Sequence, residues 1–507
     1  LSAADIPSVN TLMRGLQLFN ETSGLTVSSQ KSFVYFCNTN TSKKREILRR
    51  IQFQEGALPV TYLGLPLITK RLSKADCNPL VERITAKASS WVSKSLSLAG
   101  RLQLVKATLF SMQTYWCSTF LLPMHTIRQC ERVLRKFLWG GLGRGNVKWT
   151  EVCKPLMEGG LGIRDMKTWN RALLLKQIWS VLTEDNLWVK WCHAYLLKSS
   201  NFWAVPVRGL LSWSWRQILL LRPLAREHLI YKCGNGERFS LWFDPWLQGE
   251  SIHALYGRRV IYDSGLGSQA RVKDILREGQ WCWPQTSGDL MEIQQKVDDI
   301  PISTCQDSIY WAKVGDSFST SRAWNVIRPR SNKVGWHALV WHPGRIPKHA
   351  FCLWLAVRGA HRTRDKLLAM GVTQTAQCVF HCGEPESTEH LFFLCPFTAY
   401  VWIEVLKLCN ITRNIMPWPY ELRWMSAHAR DNQFHHRIRK LAFASTVYHI
   451  WRERNRRCFT TRFRPPQEIV HKVRMDVSGK LTTANNAQKN DHHHSLCINW
   501  GIPIVDD

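Results

Sequence analysis

Four residues in one short stretch constrain this chain more than any other feature. Cys378, Cys382, His390 and Cys395 lie in CVFHCGEPESTEHLFFLCP with the spacing C-x3-C-x7-H-x4-C. Three thiols and an imidazole within eighteen residues form a tetrahedral donor set of the type that zinc takes in structural sites. A closed set of four protein ligands leaves no position for a reacting water, so the expected role is structural. Gly383 suits a tight turn after the second thiol, and HLFFLC is expected to carry His390 and Cys395 on a helical repeat. His381 stands beside Cys382 and is an alternative second ligand. Buried cysteines around a core histidine are the plain alternative to a metal site. Binding free energies of about 10–16 kcal/mol for such peptides mean that a real site governs local folding.

At 507 residues the chain is too long for one core and long enough for about three domains. Lys and Arg number 68 against 38 Asp and Glu, a formal net charge of +30. That balance favours a polyanionic partner, RNA or DNA first. No apolar run approaches the ~18 residues that a membrane span needs, and LSAADIPSVN is not a secretory signal. The expected location is therefore intracellular, nuclear or cytoplasmic, where thiols stay reduced and clustered cysteines bind metal. The remaining cysteines, among them Cys37, Cys117, Cys130, Cys233 and Cys352, read as small buried residues. The 25 tryptophans, many beside Arg or Lys, are read mostly as core.

Periodicity divides the chain into successive segments. Residues 1–70 open on an amphipathic helix closed by Gly24 and continue through short strands around LTVSSQKSFVYF and LPVTYLGLPL. Residues 71–200 are helical, with apolar positions three and four apart in LVERITAKASSWV, AGRLQLVKATLFSMQTYWCSTFLL and IRQCERVLRKFLWGG. GLGRGN and GGLGIRDM lack the Lys-Ser/Thr pair of a phosphate loop and read as turns. Residues 201–305 form a mixed linker region, in which Gly234, Asn235 and Gly236 signal a β-hairpin. A compact domain over 306–402 contains the Cys/His cluster, and 403–507 is a basic helical tail. HHRIRKLAFASTVYHIWRERNRRCF is its basic helix, stopped by Pro465 and Pro466, and Lys489 onward, including His492 to His494, is expected to be mobile.

LPVTYLGLPL, AGRLQLVKATLFSMQTYW, FLWGG, GGLGIRDM, LWFDPWL, GRIPKHAFCLWLA and CVFHCGEPESTEHLFFLCP, in that order, resemble the downstream half of plant-type non-LTR retrotransposon reverse transcriptases. The resemblance covers nearly the whole chain, and its most specific part is the zinc-binding domain that follows the polymerase. The family's usual spacing is C-x2-C-x8-H-x4-C, so the second cysteine is displaced here by one and His381 occupies its place. It implies an α+β, mainly helical fold: the end of a polymerase palm, a helical thumb or connection region, a small zinc-binding domain and a basic C-terminal helix. Tyr62, Leu63 and Gly64 would lie near the primer grip.

The resemblance also places Leu1 just beyond the family's aromatic-x-Asp-Asp catalytic strand, and the absent initiator Met agrees with that. Phosphoryl transfer needs carboxylates that hold two divalent cations ~3.5–4 Å apart. Asp298 and Asp299, in KVDDIPIS, lack the preceding aromatic and read as a solvated linker. No catalytic residue is therefore assigned, and Mg2+ belongs to the longer parent polymerase. A ribonuclease H domain is not expected after Cys395. Duplex backbone contacts are assigned to Arg101, Lys106, Arg132, Arg135 and Lys136 in the thumb, and to Arg452, Arg454, Arg456 and Arg457 in the tail. A solvated helix face is the alternative for each. The expected function is a non-catalytic, zinc-containing, nucleic-acid-binding portion of a reverse transcriptase. The alternatives are a fragment of an active RNA-directed DNA polymerase, a zinc-stabilised protein interaction module, or a decayed relic.

Overall fold

A computed structural model describes residues 2–56, 60–68, 70–91, 95–141, 145–198, 200–209, 211–460, 462–483 and 491–503. The fold is α+β and mainly helical, with four separate two-stranded sheets among the described residues. The chain divides into two compact units: Leu1–Cys77 with Val207–Leu219, and Asn78–Pro206 with Leu220–Asp507. Among the described residues no helix is long and apolar enough to cross a membrane.

The smaller unit opens on the helix Ile6–Ser23, in which the Asp5 carboxylate accepts from the Ser8 N–H and Gly24 closes the end at φ 69°. Expected strands around residues 25–36 shrink to Phe33–Val34, paired in parallel with Gln54–Glu55. Thr61–Tyr62 and Leu65–Pro66 form a small antiparallel pair. Leu63 (φ 50°) and Gly64 (φ 81°) supply its turn, and both turn residues take the positive φ that tight hairpins need. Tyr62 and Leu63 are exposed. Cys37, expected to be buried, is exposed, because this unit buries little around it.

In the larger unit, helices follow the apolar spacing. Met124–Leu138 buries Ile127, Cys130, Leu134, Phe137 and Leu138, and turns Arg132, Arg135 and Lys136 outward. Behind it, Met166–Thr183 carries a fully buried Asn170. The Asn170 amide donates to the carbonyls of Cys117 and Phe120 at 2.6 and 2.8 Å and accepts from the Leu122 N–H at 2.8 Å. One side chain thus satisfies the backbone where the Thr114–Thr119 helix ends. Cys117, Cys130, Cys233 and Cys352 are buried, as are Trp242, Trp311, Trp354, Trp402 and Trp500. Part of GLGRGN, residues 142–144, lies outside the described residues.

The expected hairpin around Gly234 does not form. Leu229–Lys232 pairs instead with Ser308–Trp311, antiparallel and about eighty residues away. The Gly234–Gly236 segment wraps the buried Asp307 carboxylate, which accepts from the backbone N–H groups of Gly234, Gly236, Arg238 and Phe239 at 2.7–3.2 Å. This strand pair crosses the boundary expected at 305/306, so residues 201–305 are not a separate linker. The tail also differs from expectation. Phe434–Phe459 buries thirteen of its residues, with Phe443 against Phe393, Trp402 and Trp418 at 5.4–5.8 Å between ring centroids. It is therefore a core helix, more deeply buried than the basic amphipathic helix expected there. Pro465 and Pro466 do mark the next helix start, Pro466–Thr482. Beyond 484–490, which lie outside the described residues, Asp491–Trp500 is a helix that buries Leu496, Cys497 and Trp500. That burial, which contradicts the expected mobile end, follows from an apolar Leu-Cys-x-x-Trp stripe.

Candidate metal centre

The Cys/His cluster is built from a short hairpin and the start of a helix. Residues 376–386 fold back on themselves, with Cys378 N–H donating to the Glu384 carbonyl at 2.9 Å and Glu386 N–H to the Ala376 carbonyl at 2.7 Å. His381 sits at the bend with φ 57° and Gly383 follows at φ 91°. The bend turns the His381 side chain into solvent and the Cys382 thiol inward. His390 opens one helical turn, where its N–H donates to the Ser387 hydroxyl at 3.0 Å. The turn does not run on to Cys395 as the periodicity of HLFFLC predicts. Phe392 (φ −98°, ψ 91°) and Phe393 (φ 89°) leave the helical region, and both rings are buried. This break returns the chain so that Cys395 caps the next helix, Pro396–Leu408, and faces the hairpin.

The donor atoms of Cys378, Cys382, His390 and Cys395 all lie within 4.8 Å of one another. Zinc–sulfur and zinc–nitrogen bonds of ~2.3 and ~2.05 Å place tetrahedral donors about 3.8 Å apart for two sulfurs and about 3.6 Å for sulfur and nitrogen. Cys378 Sγ is 3.9 Å from Cys395 Sγ, and Cys382 Sγ is 3.2 Å from His390 Nε2. No disulfide forms. Cys395 is poised as a thiolate: its pKa is pulled down to about 5, first by the Cys378 thiol donating to it, then by the N–H groups of Phe397 and Thr398. The Cys378 thiol is correspondingly pushed up. The donor set, its spacing and its charge fit zinc, and four protein donors suit a closed structural site. His381 is outside the cluster.

Two buried interactions hold this knuckle against the Phe434–Phe459 helix. Glu386 Oε1 accepts from Arg454 Nε at 2.9 Å, from Arg454 Nη2 at 2.7 Å and from the Arg364 N–H at 2.9 Å. Both partners of this ion pair are buried. The Arg457 guanidinium lies 4.7 and 4.5 Å from the ring centroids of Phe380 and Phe397, which stack on each other at 4.4 Å, and its Nε donates to Glu453 at 3.1 Å. Arg454 and Arg457 are thus committed to the protein interior and leave the set of cations expected to contact phosphate. Arg452 is exposed and Arg456 half-buried.

In the helices between residues 71 and 200, Arg101 turns inward to donate to the Phe137 carbonyl at 3.3 Å. Burial, with the Arg345 guanidinium nearby, pulls the Lys106 amine down to about 8, and the side chain is half-buried. Arg132, Arg135 and Lys136 are exposed on one helix. Asp298 and Asp299 lie exposed at the end of the Gly288–Val297 helix.

Residues 318–402 match the protein family described as zinc-binding in reverse transcriptase, and that match encloses all four donors. An Arabidopsis thaliana protein with the provisional name of a ribonuclease H protein is 29% identical over 383 residues, 70% of this chain and 61% of that relative. An uncharacterized mitochondrial protein of Arabidopsis thaliana is 26% identical over 147 residues, 28% of this chain and 96% of that relative. These matches support a likeness to the downstream region of plant-type non-LTR retrotransposon reverse transcriptases. The alignment spans less than two thirds of the first relative. The reverse transcriptase zinc-binding domain, as matched, starts twelve residues after the boundary expected at 306 and ends at the expected 402. Its clamp to the chain beyond that end, Glu386 on Arg454, was not visible in the sequence: WRERNRRCF presents five charged side chains with nothing to mark the buried ones.

Proposed function

We propose that this chain is a nucleic-acid-binding, zinc-containing part of a retrotransposon reverse transcriptase. The observation that carries the reading is the Cys378, Cys382, His390 and Cys395 cluster, which lies inside the stretch that matches the reverse transcriptase zinc-binding family. In this reading the four residues hold one structural zinc ion. The knuckle and the helices that clamp it act as a basic platform. The net charge of +30 supports RNA or DNA as the partner. Arg132, Arg135 and Lys136, exposed together on the Met124–Leu138 helix, are the first contacts proposed, with Arg452 and Arg456 as a second set. Residues 71–200 would supply a thumb-like surface that follows duplex backbone. Polymerase chemistry, with its Mg2+ ions, is assigned to the parent protein.

The test is the salt dependence of RNA and DNA binding. Affinity should fall steeply between low and moderate salt. The triple variant Arg132→Ala, Arg135→Ala, Lys136→Ala should flatten the log–log slope by up to about 3 on duplex DNA. Binding that does not respond to salt would sink the reading. Tight, salt-independent association with a protein partner would favour an interaction module instead. Primer extension by this chain with magnesium and deoxynucleotides would favour the polymerase alternative, and none is expected.

A further inference from the structure

Away from the cysteine cluster, three helices bring a second set of donors to one point. His349 comes from Pro347–Val357, His449 from Phe434–Phe459 and Asp476 from Pro466–Thr482. Their ligand atoms lie within 4.8 Å of one another. His449 Nε2 is 2.6 Å from Asp476 Oδ2, and His349 Nε2 is 3.3 Å from the same oxygen. The Tyr448 ring packs on His349 at 4.4 Å between centroids and fixes its plane.

An ordinary Asp–His hydrogen bond accounts for His449 but not for His349. The His349 side chain is 1% exposed, and neither of its ring nitrogens has a well-angled hydrogen-bond partner. An imidazole nitrogen left so costs about 1–3 kcal/mol. A residue of that cost, aimed at a carboxylate already shared with a second imidazole, is explained by a cation bound between them. Two imidazoles and one carboxylate are the donor set of zinc and similar borderline divalent ions, whereas Mg2+ and Ca2+ prefer oxygen ligands. Donors on a tetrahedral zinc ion stand about 3.3–3.4 Å apart, which the His349–Asp476 distance already meets. The 2.6 Å pair must open by under about 1 Å to admit the ion. Asp476 is partly exposed and gives the ion a path in and a place for water. The Lys348 side chain beside His349 opposes a cation, which sets a limit on affinity.

We propose that His349, His449 and Asp476 form a second metal site, taking a divalent transition-metal ion of the zinc class and pinning three helices together. This inference does not depend on the nucleic-acid reading. The test measures zinc per chain after dialysis, on the full chain with His492, His493 and His494 replaced by Ala to remove a competing histidine run. Two zinc ions per chain are expected. Asp476→Asn, which keeps shape and hydrogen bonding, and His349→Phe, which fills the same volume, should each leave one. Cobalt(II) then separates the sites. The ion retained by either variant should show thiolate charge-transfer absorption, and the lost one should not. One metal ion per chain in the starting protein that shows thiolate absorption with cobalt(II), or two zinc ions in Asp476→Asn, would overturn the proposal. One ion without thiolate absorption would instead keep the three-helix site and sink the cysteine one.

Discussion

At the scale of single residues, burial decides which charged groups hold the protein together and which face outward. Glu386 and Arg454 form a buried pair, so removal of either partner leaves an uncompensated charge. Glu386→Ala and Arg454→Ala should each lower stability by about 3–5 kcal/mol in denaturant titration. The double substitution should cost less than the two singles summed. The same arginine looked like a phosphate contact in WRERNRRCF, because composition reports charge and not its depth. The Cys/His cluster was legible from spacing, with its second donor left open. The choice between His381 and Cys382 was not, since a one-residue shift is decided by the left-handed bend at His381. Cys382→Ala should therefore lose zinc while His381→Ala keeps it, as measured by bound metal after dialysis. Buried histidines set the acid limit. Burial pulls the His361 and His342 imidazoles down to about 3, against an ordinary value near 6.5. Both are neutral in the folded chain, so unfolding takes up protons between those values. Stability should hold above pH ~6.5 and fall as pH drops below it, by up to about 1.4 kcal/mol per pH unit for each histidine. A melting temperature that is flat from pH 7 to 5 would contradict this.

At the scale of elements, the helices with clear apolar periodicity appear where the sequence places them, and the pairings between distant segments do not. Met124–Leu138 is readable because its buried positions recur every three or four residues. Leu229–Lys232 looked like half of a local hairpin, yet its partner is Ser308–Trp311. A turn signal is local information and a strand partner is not. The residue that resolves the turn, Asp307, is remote in sequence and accepts four backbone N–H groups. Asp307→Ala should cost roughly 2–5 kcal/mol, since several buried donors lose their acceptor together. Hydrogen exchange should show the loss first at Gly234 to Phe239. The break at Phe392 and Phe393 escaped the periodicity for a related reason, because buried aromatic contacts outweigh local helix preference there.

At the scale of the whole molecule, the zinc-binding segment and the chain after it fold as one body. Five segments read from periodicity became two compact units, the larger of which joins residues on both sides of three expected boundaries. The composition correctly marks the protein as basic, and it says nothing about which helices share a core. Metal removal should therefore reach beyond the knuckle. Chelation is expected to raise hydrogen exchange not only over 376–395 but also along Phe434–Phe459, through Glu386 and Arg454. Exchange confined to the knuckle would show that the clamp carries no coupling.

That clamp also sets an order of events during synthesis. The four metal donors are complete once Cys395 is made, yet the guanidinium that neutralises Glu386 lies 59 residues further on, at Arg454. At about 5–20 residues per second, a nascent chain spends roughly 3–12 s with its donors present and a carboxylate still without its counter-charge. The knuckle is thus finished from behind, and a copy of the gene interrupted between those two codons keeps all four donors of the cysteine cluster while losing the part that holds them in place.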